Sequence, residues 1–215
     1  MRKLILVLLG VLVSVSVVNA STFIDFRPTD PFADALHKKF KEFTVENFTF
    51  TVVAHDDIAG HAQIWHSDNG TDGFGVNTGD YKVQEVNYPE ILEIRFSAPV
   101  RFHEVLLTDF AIEGPEDARY SEEGAYKIDG VGWYSFYATQ EYDGINKVNP
   151  TTIPLFANAT GTSIFLSAQG WISATQHHEF SVGGIRVSQV PLPPAVLLLG
   201  SGIIGLAAFR RKFRR

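Results

Sequence analysis

Ile91-Leu92-Glu93-Ile94-Arg95-Phe96 alternates with a period of two, so that Leu92, Ile94 and Phe96 share one face and a mixed set (Ile91, Glu93, Arg95) shares the other. A segment of this length with β-branched and aromatic residues on one side is a half-buried strand. Working outward, residues 48–53, 62–65, 102–107, 133–138, 163–168 and 179–187 read the same way. In the last of these, Phe180, Val182 and Val187 can share one face only if Gly183-Gly184 forms a bulge. Gly and Asp/Asn clusters at 67–80, 112–124 and 141–150 supply turns between the strands. Short strands with this punctuation predict a mainly β domain, a single antiparallel β-sandwich, with the jelly roll as one candidate topology.

One helical pattern precedes the strands. Asp30 is a good N-cap and Pro31 suits the first helical position. Phe32, Leu36, Phe40 and Phe43 recur at spacings of three and four. The spacing predicts a short amphipathic helix over 30–43, packed on the sheet that follows.

The chain has 215 residues and no cysteine, which rules out a disulfide scaffold, thiolate metal sites and a cysteine nucleophile. Seventeen phenylalanines argue for a packed core rather than disorder. Charge is unevenly placed: residues 21–189 carry 11 basic and 24 acidic residues, a net charge of −13, with every acidic residue of the chain between Asp25 and Glu179. Such a surface repels nucleic acid and sets a nucleic-acid-binding role aside.

Both ends carry apolar segments beside basic residues. Met1-Arg2-Lys3, the apolar run from Leu4 to Val13 and Val18-Asn19-Ala20 have the order of a secretory leader over residues 1–20, with cleavage expected between Ala20 and Ser21. A secreted chain without cysteine fits a bacterial exoprotein. Residues 21–189 then form the extracytoplasmic domain. At the other end, residues 191–209 are 19 uncharged residues, about 28 Å as a helix, enough to span a hydrocarbon core. Pro191, Pro193 and Pro194 mark the junction with the folded domain. Arg210, Arg211, Lys212, Arg214 and Arg215 form a stop-transfer cluster that holds its end in the cytoplasm, leaving the domain outside the inner membrane.

Residues 190–215, from Val190-Pro191-Leu192-Pro193-Pro194 through the glycine-bearing span (Gly200, Gly202, Gly205) to the terminal arginines, resemble the PEP-CTERM sorting signal of Gram-negative bacteria. The name-giving Pro-Glu-Pro reads Pro191-Leu192-Pro193 here. The resemblance implies recognition by exosortase, a membrane-embedded cysteine-type transpeptidase that cleaves near the proline motif. It further implies release to the cell envelope or extracellular matrix and association with exopolysaccharide and biofilm. Asp72-Gly73-Phe74-Gly75-Val76 and the alternation at 92–96 are also similar to β-sandwich regions of that family.

Four chemistries are conceivable for the domain: calcium binding, a histidine metal site, hydrolysis and sugar binding. Asp68, Asp72 and Asp80, with Asn69 and Asn77 on a glycine-rich stretch, offer hard oxygen ligands of the kind calcium takes, although the same residues are ordinary turn formers. The histidines show no zinc spacing; His55, Asp56 and His61 are near enough in sequence to converge, and His177 and His178 point to opposite faces of a strand. No nucleophile-elbow motif occurs, and no carboxylate pair is singled out, so a non-catalytic role is expected. Trp65, Trp133 and Trp171, with Tyr134 and Tyr137, are candidates for stacking on sugar rings, set against plain sheet packing. Of the adjacent Trp133 and Tyr134, one should face the core and the other solvent. A polysaccharide-binding module, calcium-dependent or not, is the alternative to a non-catalytic matrix protein, and a surface-tethered hydrolase is the third reading.

Overall fold

The computed structural model describes residues 20–55, 62–66, 73–77, 86–87, 89–113, 120–129, 131–140, 150–156, 159–173 and 176–190. The leader before Ala20, the span and basic tail from Pro191 to Arg215, and Asp68, Asp72 and Asp80 of the suggested calcium loop lie outside the described residues. Ser21–Ser188 is one compact unit. Among the described residues no helix is long and apolar enough to cross a membrane.

The described strands are β1 (Thr22–Asp25), β2 (Phe40–Val45), β3 (Phe48–His55), β4 (Gln63–His66), β5 (Phe74–Asn77) and β6 (Val86–Asn87). There follow β7 (Ile91–Thr108), β8 (Ile112–Glu113), β9 (Tyr120–Ser121), β10 (Glu123–Ile128) and β11 (Tyr134–Tyr137). The last are β12 (Thr151–Pro154), β13 (Thr160–Ala168), β14 (Trp171–Ser173), β15 (Gln176–His177) and β16 (Glu179–Gln189). Among the described residues helix is confined to a single turn, α1 (Thr29–Phe32), and a 3-10 turn at Ala33–Ala35.

The 18-residue strand β7 organises the molecule. Its first part pairs with β3 (Phe50↔Phe96 to His55↔Ile91) and with β13 (Leu166↔Leu92 to Ser163↔Arg95). The layer extends through β2 on one side and through β10 and β11 on the other, all antiparallel. Between Arg95 and Val100 the register with β13 shifts, and Ser97, Ala98 and Pro99 are exposed. Proline has no ladder N–H to offer, and a bulge is where a sheet tolerates it. Beyond this bend β7 keeps two further pairs with β13 (Gly161↔Val100 and Thr160↔Arg101) and also pairs with β12 and β16. Strand β16 also binds β1, β5 and β6, and β5 pairs with β4. The strand thus changes layer at a corner, and the result is an antiparallel β-sandwich.

Rings from the two layers meet in the core. Phe50 of β3 lies 5.8 Å from Phe26, which follows β1; Phe43 of β2 lies 5.9 Å from Phe74 of β5; Phe136 of β11 lies 5.7 Å from Phe180 of β16. Fully burying such a ring contributes about 1.5–3 kcal/mol. The expected bulge in β16 is present. Phe180 and Val182 lie in the core before Gly183-Gly184, and Ile185 and Val187 lie there after it, a one-residue change of parity. At this point the neighbour of β16 changes from β5 (Val182↔Phe74) to β1 (Gly184↔Asp25).

The helix expected over 30–43 is corrected. It stops after one turn, and residues 40–45 are strand β2 instead. Val45↔Phe48 closes a two-residue hairpin, and Phe43↔Phe50 then puts both rings in the core. Phe40, which the helical spacing would bury, is 65% exposed. A cross-strand partner supplied by the hairpin outweighs the local period.

Candidate functional site

Alternation that buries one side of β3, β7, β10 and β13 leaves their other side facing outward, and the register aligns these outer residues in rows. One row runs Lys127–Phe165–Glu93–Val53–Phe40 across β10, β13, β7, β3 and β2. The adjacent row contains Ser163, Arg95, Thr51 and Glu42.

Glu93 is the centre of this face. It is 1% exposed although it lies on the outer side of the sheet. Arg95 donates from Nε to Oε1 at 2.8 Å and from Nη2 to Oε2 at 2.9 Å, and His55 Nε2 lies 2.8 Å from Oε2. Burial works to raise the Glu93 pKa; hydrogen bonds from Arg95, His55 and Ser163 outweigh it and hold the carboxyl below the usual range. Chemically this is a locked anion. It is a poor proton donor and a good device for orienting Arg95 and His55. Beside it, the Phe165 ring is flanked by His55, with centroids 6.5 Å apart, and by the Lys127 ammonium at 5.8 Å from the centroid.

The outer end of the same layer is aromatic. Among the described strands β11 pairs on one side only, with β10. Trp133 and Tyr137 are 47% and 56% exposed, and Ser135 between them is exposed as well. Tyr134 turns inward, stacked 5.5 Å from Tyr126, and so the adjacent pair divides between core and solvent as alternation requires. Phe156, 54% exposed, continues this inner stack at 5.1 Å from Tyr134. The Tyr137 hydroxyl bonds the Glu123 carboxylate, its partner on β10, which raises the phenol pKa.

The other expected site residues are dispersed. Trp65 is half-buried on β4, 5.6 Å from the His37 ring, with its indole N–H unpartnered among the described residues. Trp171 is in β14, opposite His177 of β15. Ala20 and Ser21 precede β1 and are exposed, as is Val190 after β16; Pro191, Leu192, Pro193 and Pro194 lie outside the described residues. Of the suggested His55, Asp56 and His61 group only His55 is described, and it serves Glu93. Among the described residues no group of three His, Asp or Glu side chains is placed to hold a metal. Glu122, within the 112–124 stretch expected to supply turns, is 1% exposed and accepts the Ala111 N–H at 2.6 Å.

Sequence reasoning missed the Glu93–Arg95–His55 cluster. Glu93 and Arg95 are two apart on one face of the quoted strand, which was a signal, but His55 arrives only through the β3–β7 register.

No family model and no curated protein matches this sequence. Among solved structures, the chain is similar to a family 35 carbohydrate-binding module from Clostridium thermocellum, at 16% identity over 80% of this chain and 99% of that one, with a TM-score of 0.30. It is also similar to a rhamnosidase from Klebsiella oxytoca with rhamnose bound, at 11% identity over 78% of this chain and 33% of that one, with a TM-score of 0.35. Likenesses at these TM-scores carry no argument about ligand or activity.

Proposed function

We propose that this chain is an exported, non-catalytic β-sandwich protein that binds extracellular polysaccharide through the outer face of the β11–β10–β13–β7 layer. The observation that carries the reading is the pair Trp133, just before β11, and Tyr137, at its end, large aromatics that are both exposed. An exposed indole or phenol ring stacks on the apolar face of a pyranose, and the polar residues around it bond the hydroxyls. Delivery is assigned to the ends. The leader exports the domain, and the tail that resembles a PEP-CTERM signal retains it at the inner membrane until exosortase processes it.

Affinity electrophoresis of the full chain in gels containing different polysaccharides, the producer's own included, tests the binding. Retardation that Trp133→Ala and Tyr137→Ala both reduce is expected; free migration in every gel sinks the reading. Repeating the gels with a chelator decides whether the calcium suggested at Asp68, Asp72 and Asp80 takes part. Mass spectrometry of protein from the native host tests the delivery. The mature chain should lack Arg215, and joint replacement of Pro191 and Pro193 by alanine should leave full-length protein in the membrane.

A further inference from the structure

We infer that the sugar unit bound on this face is acidic, and that its carboxylate is taken by the free edge of the Arg95 guanidinium. The inference rests on the polysaccharide-binding reading and narrows its ligand. Arg95 spends Nε and one proton of Nη2 on Glu93, which is its side-on fork. The end-on fork, Nη1 with the second proton of Nη2, is engaged by nothing among the described residues, and the side chain is 56% exposed. A guanidinium pinned on one edge by a buried carboxylate is pre-organised to offer its other edge. Two parallel N–H donors fit a planar carboxylate.

The surroundings supply the rest of a sugar site. Phe165 and Arg95 are diagonal neighbours across β13 and β7, a relation that sets the residues about 7–8 Å apart and their Cβ atoms somewhat closer, within the span of one sugar unit. His55 Nε2 faces Glu93, so that its ring is held at the margin of the same cluster. Lys127, over the far side of Phe165, adds a second cation. Two carboxylates act on Arg95: Glu93 bonds it directly, and the Asp129 charge interacts with it while Oδ2 takes the Thr162 N–H, the Thr162 hydroxyl and the Ser163 N–H, which holds that carboxylate on β13 rather than on the guanidinium edge. Glu42, beyond Thr51, is the remaining carboxylate of the Arg95 row. The domain carries a net charge of −13, so diffuse attraction cannot hold a polyanion here; binding one requires a local fork of this kind.

The test compares polygalacturonate and alginate with their carboxyl-reduced, neutral forms, measuring retardation of the full chain purified in mild detergent. The acidic polymers should bind roughly tenfold more tightly than the neutral ones, with the preference shrinking as salt is raised. Arg95→Lys keeps the charge and removes the fork, and should abolish most of the preference. Arg95→Gln combined with Glu93→Gln should do the same without stranding a buried charge, and thermal melts verify that both variants are folded. Equal retardation by acidic and neutral forms, or a folded Arg95→Lys protein that keeps the preference, overturns the acidic-sugar inference and leaves polysaccharide binding standing. Free migration with all polymers, neutral ones included, overturns both.

Discussion

Glu93 illustrates how a single side chain links stability to the proposed site. Its carboxylate lies on the outer side of the sheet yet is almost wholly covered, and Arg95, His55 and Ser163 satisfy it. Glu93→Gln should cost about 1–2 kcal/mol, a hydrogen-bond loss discounted for the exposure of Arg95, and denaturant titration at neutral pH measures it. The same group predicts a pH dependence. Glu93 and Asp129 both have folded pKa values below the ordinary range: burial opposes this in each, and the bonds from Arg95 and His55, or from Thr162 and Ser163, prevail. A carboxyl with a depressed folded pKa stabilises the fold fully above its unfolded pKa and loses that contribution as pH falls through the folded value. The denaturation midpoint should therefore be flat above about pH 5 and fall below about pH 4, less steeply in Glu93→Gln. A midpoint that rises on acidification contradicts this account.

At the scale of elements, the two glycines of β16 and the hairpin between β2 and β3 make opposite predictions. A Cβ on Gly184 would sit 2.6 Å from Phe23 Cζ and 2.8 Å from the Ile24 carbonyl oxygen, where β1 docks. Gly184→Ala should destabilise by about 1–3 kcal/mol, read as a lowered melting temperature. In the hairpin, Glu46 has a φ of 52°, a conformation glycine adopts without a steric penalty. Glu46→Gly should raise stability by about 0.5–1 kcal/mol, the strain relieved exceeding the chain entropy and the exposed 3.1 Å bond from Thr22. Elements also show where local reading stops. The alternation at 91–96 and the Gly183-Gly184 bulge were legible, because burial of one face leaves one possible parity. The continuation of β7 to Thr108 was not, since the exposed Ser97-Ala98-Pro99 reads locally as a strand end. Nor was β2, whose phenylalanines fit a helical period until Phe50 pairs with Phe43.

For the molecule as a whole, cohesion comes from an aromatic cluster that bridges the layers. Phe74 contacts Phe26, Phe32 and Phe43 at 5.1, 5.6 and 5.9 Å, so rings from α1, β2, β5 and the residue just after β1 share one centre. Phe74→Ala should cost about 3–5 kcal/mol, a large part of the stability of a domain this size. Loss should be global: near- and far-ultraviolet circular dichroism should report one shared, lowered transition, whereas separate transitions would mean that the layers melt independently.

The sequence by itself determined the class of the fold and the parity of its main strands, because a period of two and turn residues act between near neighbours. It also placed Trp133 and Tyr134 on opposite sides of one strand. Tertiary structure alone decided which strands pair, that β7 serves both layers, and that His55, Glu93, Arg95 and Phe165 form one cluster. Those four come from β3, β7 and β13, and only long-range register, set by burial of the faces behind them, brings them together.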